Sequence, residues 1–212
     1  MNNPWLKISL DDYESHMSLP SIAQAQYLSS FLEKLLNSYN PQSLALIGCA
    51  GGNGLEKINP SQIQKVVCVD INSGFIETAK KRFVSVFKNI EFVTADIVSD
   101  ECRFSPVELI FAGLLFEYVD NSAALNNIIK HLEPNGKLAV ILQLPNPDIP
   151  EVSPSPFNSL EKLIELFSFV SPDKLIELCL LKGLDLILQS RTGLNSGKEF
   201  MELVFQKNHS SV

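Results

Sequence analysis

Apolar positions along this chain switch between two periods, and the switches predict its elements. From Ile22 to Asn37, the residues Ala25, Leu28, Phe31, Leu32, Leu35 and Leu36 recur with the 3.6-residue spacing of an amphipathic helix. Five short apolar runs follow at Ser43–Cys49, Lys65–Asp70, Ile90–Asp96, Glu108–Ala112 and Lys137–Leu144. They read as strands buried in a sheet. Helical spacing returns between them. Ile76, Ala79, Phe83 and Phe87 share one helix face behind a capping Ser73. Leu125, Ile128, Ile129 and Leu132 share another, which Glu133-Pro134-Asn135-Gly136 should stop because proline and glycine do not continue a helix. Strands apolar on both faces, alternating with helices, predict an α/β protein with a parallel sheet covered on both sides.

The last third has a different texture. Five of the twelve prolines fall between Pro145 and Pro156, which predicts a stiff surface loop rather than a helix or central strand. A short helix is expected over Ser159–Leu166. A second runs from Ser171 as N-cap, through Pro172 in the first turn, to Lys182 and the stop at Gly183. Leu184–Ser190 and Glu199–Gln206 then flank the turn Asn195-Ser196-Gly197 as a hairpin at the sheet edge.

Composition narrows the class. The 212 residues are 45% hydrophobic and 19% charged, enough to bury a sizeable core and to exclude a disordered or fibrous chain. Seventeen basic and 24 acidic residues give a net charge of −7, so a nucleic-acid-binding face is not expected. No apolar run reaches the roughly 18 residues of a membrane span, and the start MNNPWLKISLDDY has no signal-peptide core. Cys49, Cys68, Cys102 and Cys179 form no CxxC pair and read as buried reduced thiols of a cytoplasmic protein. His16, His131 and His209 are too scattered to suggest a metal site, and His131 beside Glu133 reads as surface.

Glycine is sparse, with ten in all, yet Gly48, Gly51, Gly52 and Gly54 fall within seven residues at the end of the first strand. At a strand-to-helix junction, small residues let a ligand touch free backbone N–H groups. The spacing does not fit the G-x-G-x-x-G of dinucleotide sites, because a register from Gly48 meets Ala50 and Asn53. A phosphate loop of the G-x-x-x-x-G-K-[ST] type is absent too. Asp70 ends the second strand, where a carboxylate can accept from both hydroxyls of a ribose. Asp96 ends the third and can accept from an adenine amino group.

Taken in order, IGCAGGNG, VVCVDI, EFVTAD, ELIFAGLLFEYV and LEPNGKLAV make the chain resemble the class I S-adenosylmethionine-dependent methyltransferases over roughly Ser43–Leu144. The resemblance implies a Rossmann-like doubly wound, seven-stranded, mostly parallel sheet with a reversed last strand, in three α/β/α layers. It also implies S-adenosylmethionine as cofactor. Gly48, Cys49, Ala50 and Gly52 would lie against it, Asp70 would bind the ribose, and Ile71 would pack on the adenine. Asp96 and Ile97 would meet the adenine edge, and the carbonyls of Ala112 and Gly113 would face the ammonium. Leu46 and Ala50 depart from the family pattern, which commonly has an acid at the first position and a glycine at the second. Both departures weaken the expected cofactor contacts and motivate an alternative, a catalytically degenerate binding or partner subunit.

The expected organisation is one methyltransferase domain over residues 1–212. Residues 1–40 form a helical cover, 43–144 the cofactor-binding core, 145–170 a proline-rich loop and helix able to act as a lid, and 171–206 the closing helix and hairpin. Methyl transfer is an in-line displacement that depends chiefly on positioning, so no fixed catalytic motif is expected. The acceptor-side candidates are Glu117, in Phe116-Glu117-Tyr118 past the fourth strand, and Tyr13 and His16 in the N-terminal cover. The expected reaction is methylation of a small-molecule acceptor, with no nucleic-acid or membrane partner and no metal.

Overall fold

The computed structural model describes residues 3–208; His209 lies outside them. The strands are β1 (Ser43–Ile47), β2 (Lys65–Asp70), β3 (Ile90–Thr94), β4 (Val107–Gly113), β5 (Leu132–Gln143), β6 (Leu184–Gly193) and β7 (Glu199–Lys207). They form one sheet in the order β3-β2-β1-β4-β5-β7-β6. Pairing is parallel from β3 across to β5, and β7 runs antiparallel to both β5 and β6. The expected doubly wound sheet with its reversed last strand is therefore present. The helices are α1 (Leu10–Ser18), α2 (Gln24–Tyr39), α3 (Ser73–Phe83), α4 (Asn121–Lys130) and α5 (Pro172–Leu181).

Alternation along β1 explains why its run is apolar throughout. Ala45 and Ile47 join a core with Leu125 and Ile128 of α4 and Leu175 of α5. Leu44 and Leu46 point the other way, into a core with Phe31, Leu32 and Leu35 of α2 and Ile76 of α3. A strand with helices on both faces has no polar side to show water.

Local boundaries differ from the sequence reading for identifiable reasons. The first strand stops at Ile47, two residues before Cys49, because Gly48 takes a left-handed φ of +72° that leaves the sheet. Asn72, not Ser73, caps α3, its Oδ1 accepting from the N–H groups of Gly74 and Phe75 at 2.9 and 3.3 Å. That helix ends at Phe83, so Phe87 reaches the core from the turn beyond. Leu132 opens β5 rather than closing α4: Val107 pairs with Leu132 and Leu109 with Lys137, so Glu133–Gly136 bulge out of the register, with Asn135 at φ +62°. His131 is buried, not at the surface. The end of α4 turns it inward, where Nδ1 lies 2.7 Å from the Asn127 carbonyl and the ring stacks on Phe104 at 3.9 Å. The helix expected at Ser159–Leu166 is a 3-10 turn over Asn158–Leu163. Ser171 and Pro172 start α5 as expected. All four cysteines are buried and free, and among the described residues no helix is long and apolar enough to cross a membrane.

Candidate active site

The carboxyl ends of β1, β2 and β4 are where the crossover geometry of an open parallel sheet leaves a crevice. At β1 the chain alternates through left-handed conformations at Gly48 (φ +72°), Ala50 (+48°) and Gly52 (+87°). The loop is tied to β2 by Gly48 and Cys49 N–H groups that donate to the Val69 carbonyl at 2.8 and 3.1 Å. Asp70 then fixes it further. Its Oδ2 accepts from Ala50 N–H and its Oδ1 from Asn72 N–H, both at 2.9 Å. Burial pushes the Asp70 carboxyl above the usual carboxylate range, against the pull of those N–H groups. Each oxygen keeps a lone pair, and the side chain borders the crevice.

That crevice spans about 690 Å³ of space, part of it open to solvent. Of the sequence-predicted cofactor residues, Gly48, Ala50, Asp70, Ile71, Asp96, Ile97 and Gly113 line it. Three do not. Cys49 faces a neighbouring hollow beneath α2, which Leu46 also lines. Gly52 is turned to α3, where a Cβ would sit 2.6 Å from the Phe83 ring, so its missing side chain serves helix packing. Ala112 is wholly buried in β4. Asp96 Oδ1 accepts from Val98 N–H at 3.1 Å. The wall opposite the strands comes from elsewhere: Trp5, Tyr13, Phe75 and Tyr118. Trp5 meets Tyr13 and Tyr118 edge-on at 5.6 and 5.2 Å, and its carbonyl accepts from Asn72 Nδ2 at 2.9 Å.

A second pocket of about 490 Å³ adjoins the first, and Trp5, Tyr13, Leu114 and Tyr118 border both. Its apolar wall includes Phe167 and Leu163, and its polar end holds His16, Gln24, Gln143, Glu151 and Lys198. Tyr13 borders the crevice, the hollow under α2 and this pocket alike. Burial, helped by the charge of Asp70, raises its phenol so that it stays protonated. His16 Nδ1 lies 2.9 Å from Ser155 Oγ of the proline-rich loop. Burial and then Lys198 lower its imidazole to about 4, so it is uncharged at neutral pH.

Glu117 lies apart from Tyr13 and His16, bordering neither the crevice nor the second pocket. It is 1% exposed; Oε1 accepts from Gln143 N–H at 2.7 Å, and Oε2 has no partner among the described residues. Burial pushes this carboxyl up to about 7. Lys198, Gln143, Gln24 and Trp5 escaped the sequence reading. Trp5, the only tryptophan, carried the one usable signal. Lys198 is an ordinary lysine after a hairpin turn until the fold brings β5 and α2 around it.

A glycine-bearing loop, a strand-end carboxylate and a flanking pocket meet at the carboxyl edge of a sheet with this order. A family model described as a methyltransferase domain matches residues 45–136. A methyltransferase of Schizosaccharomyces pombe, itself named as uncharacterized, is 28% identical over 174 residues, covering 76% of this chain. The match spans 65% of that relative's length. Among solved structures, the N-methyltransferase NodS of Bradyrhizobium japonicum in complex with S-adenosyl-L-homocysteine superposes with a TM-score of 0.65 at 17% identity, over 87% of each chain. Magnesium protoporphyrin IX methyltransferase of Synechocystis with bound S-adenosylmethionine gives 0.63 at 11% identity, over 88% of this chain and 81% of that one. At these identities the two structures share the fold.

Proposed function

We propose that this chain transfers a methyl group from S-adenosylmethionine to a small molecule held in the second pocket. The observation that carries this reading is the junction: the crevice beside Asp70 and the acceptor pocket share the walls Trp5, Tyr13, Leu114 and Tyr118. The residues present suit the cofactor. Asp70 offers lone pairs to a ribose diol, Ile71 and Ile97 offer apolar faces to the adenine, and Asp96 offers an acceptor to its amino group. Gly48 and Ala50 keep the loop backbone close to the ligand. The hollow under α2, bordered by Ser29 and Asn53, takes the amino-acid end without the acid that Leu46 replaces.

When bound, S-adenosylmethionine supplies a sulfonium methyl whose bond to sulfur breaks as the acceptor's lone pair forms the new bond. The chain's own part is to exclude water, orient the acceptor and tolerate its departing proton. Tyr13 closes the junction as a neutral phenol, and His16 adds no charge to the pocket's polar end. Glu117 acts as a positioning residue through Gln143. The proline-rich loop closes the acceptor side through Ser155 on His16 and through Val152. A catalytically degenerate subunit is the less favoured reading, because such a protein has no need of a second pocket abutting the cofactor crevice.

Isothermal titration with S-adenosylhomocysteine tests the proposal. The wild type is expected to bind with micromolar affinity and Asp70→Asn to bind at least tenfold more weakly. Absence of binding by the folded wild type overturns it.

A further inference from the structure

Lys198 lies between the turn that ends at Gly197 and β7, and its side chain runs inward until the residue is 3% exposed. Nζ donates to Gln143 Oε1 at 3.0 Å and to the Glu151 carbonyl at 2.7 Å. Both acceptors are neutral. Among the described residues no carboxylate lies within 4 Å of it, and Glu151 acts on it only from farther away. An ammonium has three donors, so one remains, and a buried charge without a counter-charge is costly. The open side of that charge is the acceptor pocket, which Lys198 borders. The rest of the polar end is Gln24, Gln143, the neutral His16 and Glu151, whose carboxylate lies more than 4 Å from Nζ. Burial lowers the Lys198 ammonium to about 8, which leaves it mainly protonated at neutral pH.

We propose that the methyl acceptor is a small carboxylic acid with a flat apolar body, its carboxylate docked on Lys198 and its body between the aromatic walls. This rests on reading the second pocket as the acceptor site. Trp5, Tyr118 and Phe167 provide the apolar wall. Lys198 borders the acceptor pocket but not the crevice. The carboxylate is therefore the anchor, and the atom that gains the methyl lies at the other end of the molecule, losing its own proton to solvent. In a chain with a net charge of −7, a buried cation at this pocket favours an anionic acceptor that the rest of the surface repels.

The test uses protein saturated with S-adenosylhomocysteine and three matched probe pairs: 4-hydroxybenzoate with 4-hydroxybenzamide, phenylacetate with phenylacetamide, and hexanoate with hexanamide. Ligand-observed NMR titrations give the affinities. At least one acid is expected to bind ten or more times tighter than its amide. Lys198→Met should remove that preference by weakening the acid alone, and Lys198→Arg should keep it. Methionine is tolerable here because both acceptors keep another donor: Gln24 Nε2 faces Gln143 Oε1 at 3.5 Å, and Gln143 Nε2 faces the Glu151 carbonyl at 3.0 Å. Unchanged binding of S-adenosylhomocysteine by Lys198→Met shows that it folds. If no acid outbinds its amide, or the preference survives in Lys198→Met, the inference is overturned while the cofactor assignment stands. If the wild type binds no S-adenosylhomocysteine, the methyltransferase reading itself has failed.

Discussion

The two halves of the site are made of different material. The cofactor half is mainly backbone: a loop of left-handed residues held by one carboxylate, all within the ends of neighbouring parallel strands. The half proposed to hold the acceptor is a network of side chains from distant segments. His16 reaches Ser155, Gln24 reaches Gln143, and Lys198 reaches Gln143, across 139, 119 and 55 positions of sequence. Backbone sites depend on local conformation and a few small residues, so they tolerate change nearby but not at the tie. Side-chain networks depend on burial and charge balance, so they are sensitive to ionisation.

The largest expected effect tests the tie. Asp70→Ala removes the acceptor for Ala50 and Asn72 N–H groups and for two ribose hydroxyls. Hydrogen bonds to a charged group are worth about 1.5–3 kcal/mol each. Loss of the ribose pair therefore predicts roughly a hundredfold weaker binding of S-adenosylhomocysteine, read by titration. A loss below fivefold would remove the distinction, since the loop would then hold its ligand without the carboxylate.

The same difference decides what was legible in the sequence. IGCAGGNG and the strand-end aspartates are contiguous with the strands that carry them, so the motifs pointed to a doubly wound sheet with a reversed last strand and named seven residues that line the crevice. The exceptions within that half are residues whose small size serves something else. Gly52 makes room for Phe83, and Gly51 makes room for Arg82 and Glu14, which a Cβ there would approach to 2.5 Å. In the acceptor half, Lys198 has no local pattern at all. Its role exists only because β7 pairs with β5 and brings Gln143 beside it. Glu117 was visible as a candidate, yet its burial against the Gln143 N–H follows from the packing of β5 rather than from its own neighbours.

The next effect belongs to the acceptor half. Glu117 has a folded pKa of about 7, above its unfolded value near 4.5, so the folded state retains a proton the unfolded state has lost between those values. Stability should fall as pH rises through that window. At about 1.36 kcal/mol per unit the loss reaches roughly 2–3 kcal/mol by pH 8. His16 works in the opposite sense: its lowered pKa contributes stability that is present above pH 6.5 and lost as pH falls toward 4. Urea denaturation of the wild type and Glu117→Gln from pH 5 to 8 separates the two, because His16 is common to both. The variant should gain on the wild type as pH rises. Parallel curves would show that Glu117 ionises without cost.

A smaller effect returns to the loop. Ala50 at φ +48° occupies a conformation that costs an L-residue about 1–2 kcal/mol, whereas glycine in its place gives up about 0.5–1 kcal/mol of chain entropy. Ala50→Gly should therefore gain about 0.5–1 kcal/mol and raise Tm by roughly 1–3 °C. A lowered Tm would mean that the backbone half carries no such strain.

The smallest expected effect concerns the seam between the halves. Arg82 of α3 donates to both oxygens of Glu14 on α1, at 2.6 and 2.9 Å, and to the Gly51 carbonyl at 3.2 Å. This clamp seats the helix that carries Tyr13 and His16 on the cofactor loop. The pair is partly exposed, and exposed ion pairs contribute about 1 kcal/mol or less even when bidentate. Arg82→Gln should therefore lower global stability by only ~0.5 kcal/mol. Its diagnostic is local: amides of α1 should exchange with solvent about twofold faster, those of β1 and β2 should be unchanged, and 0.5 M salt should reduce the difference. Uniform acceleration across α1 and the central strands would mean that the cover and the sheet open as one unit, and the two halves would then share a single folding fate despite their different construction.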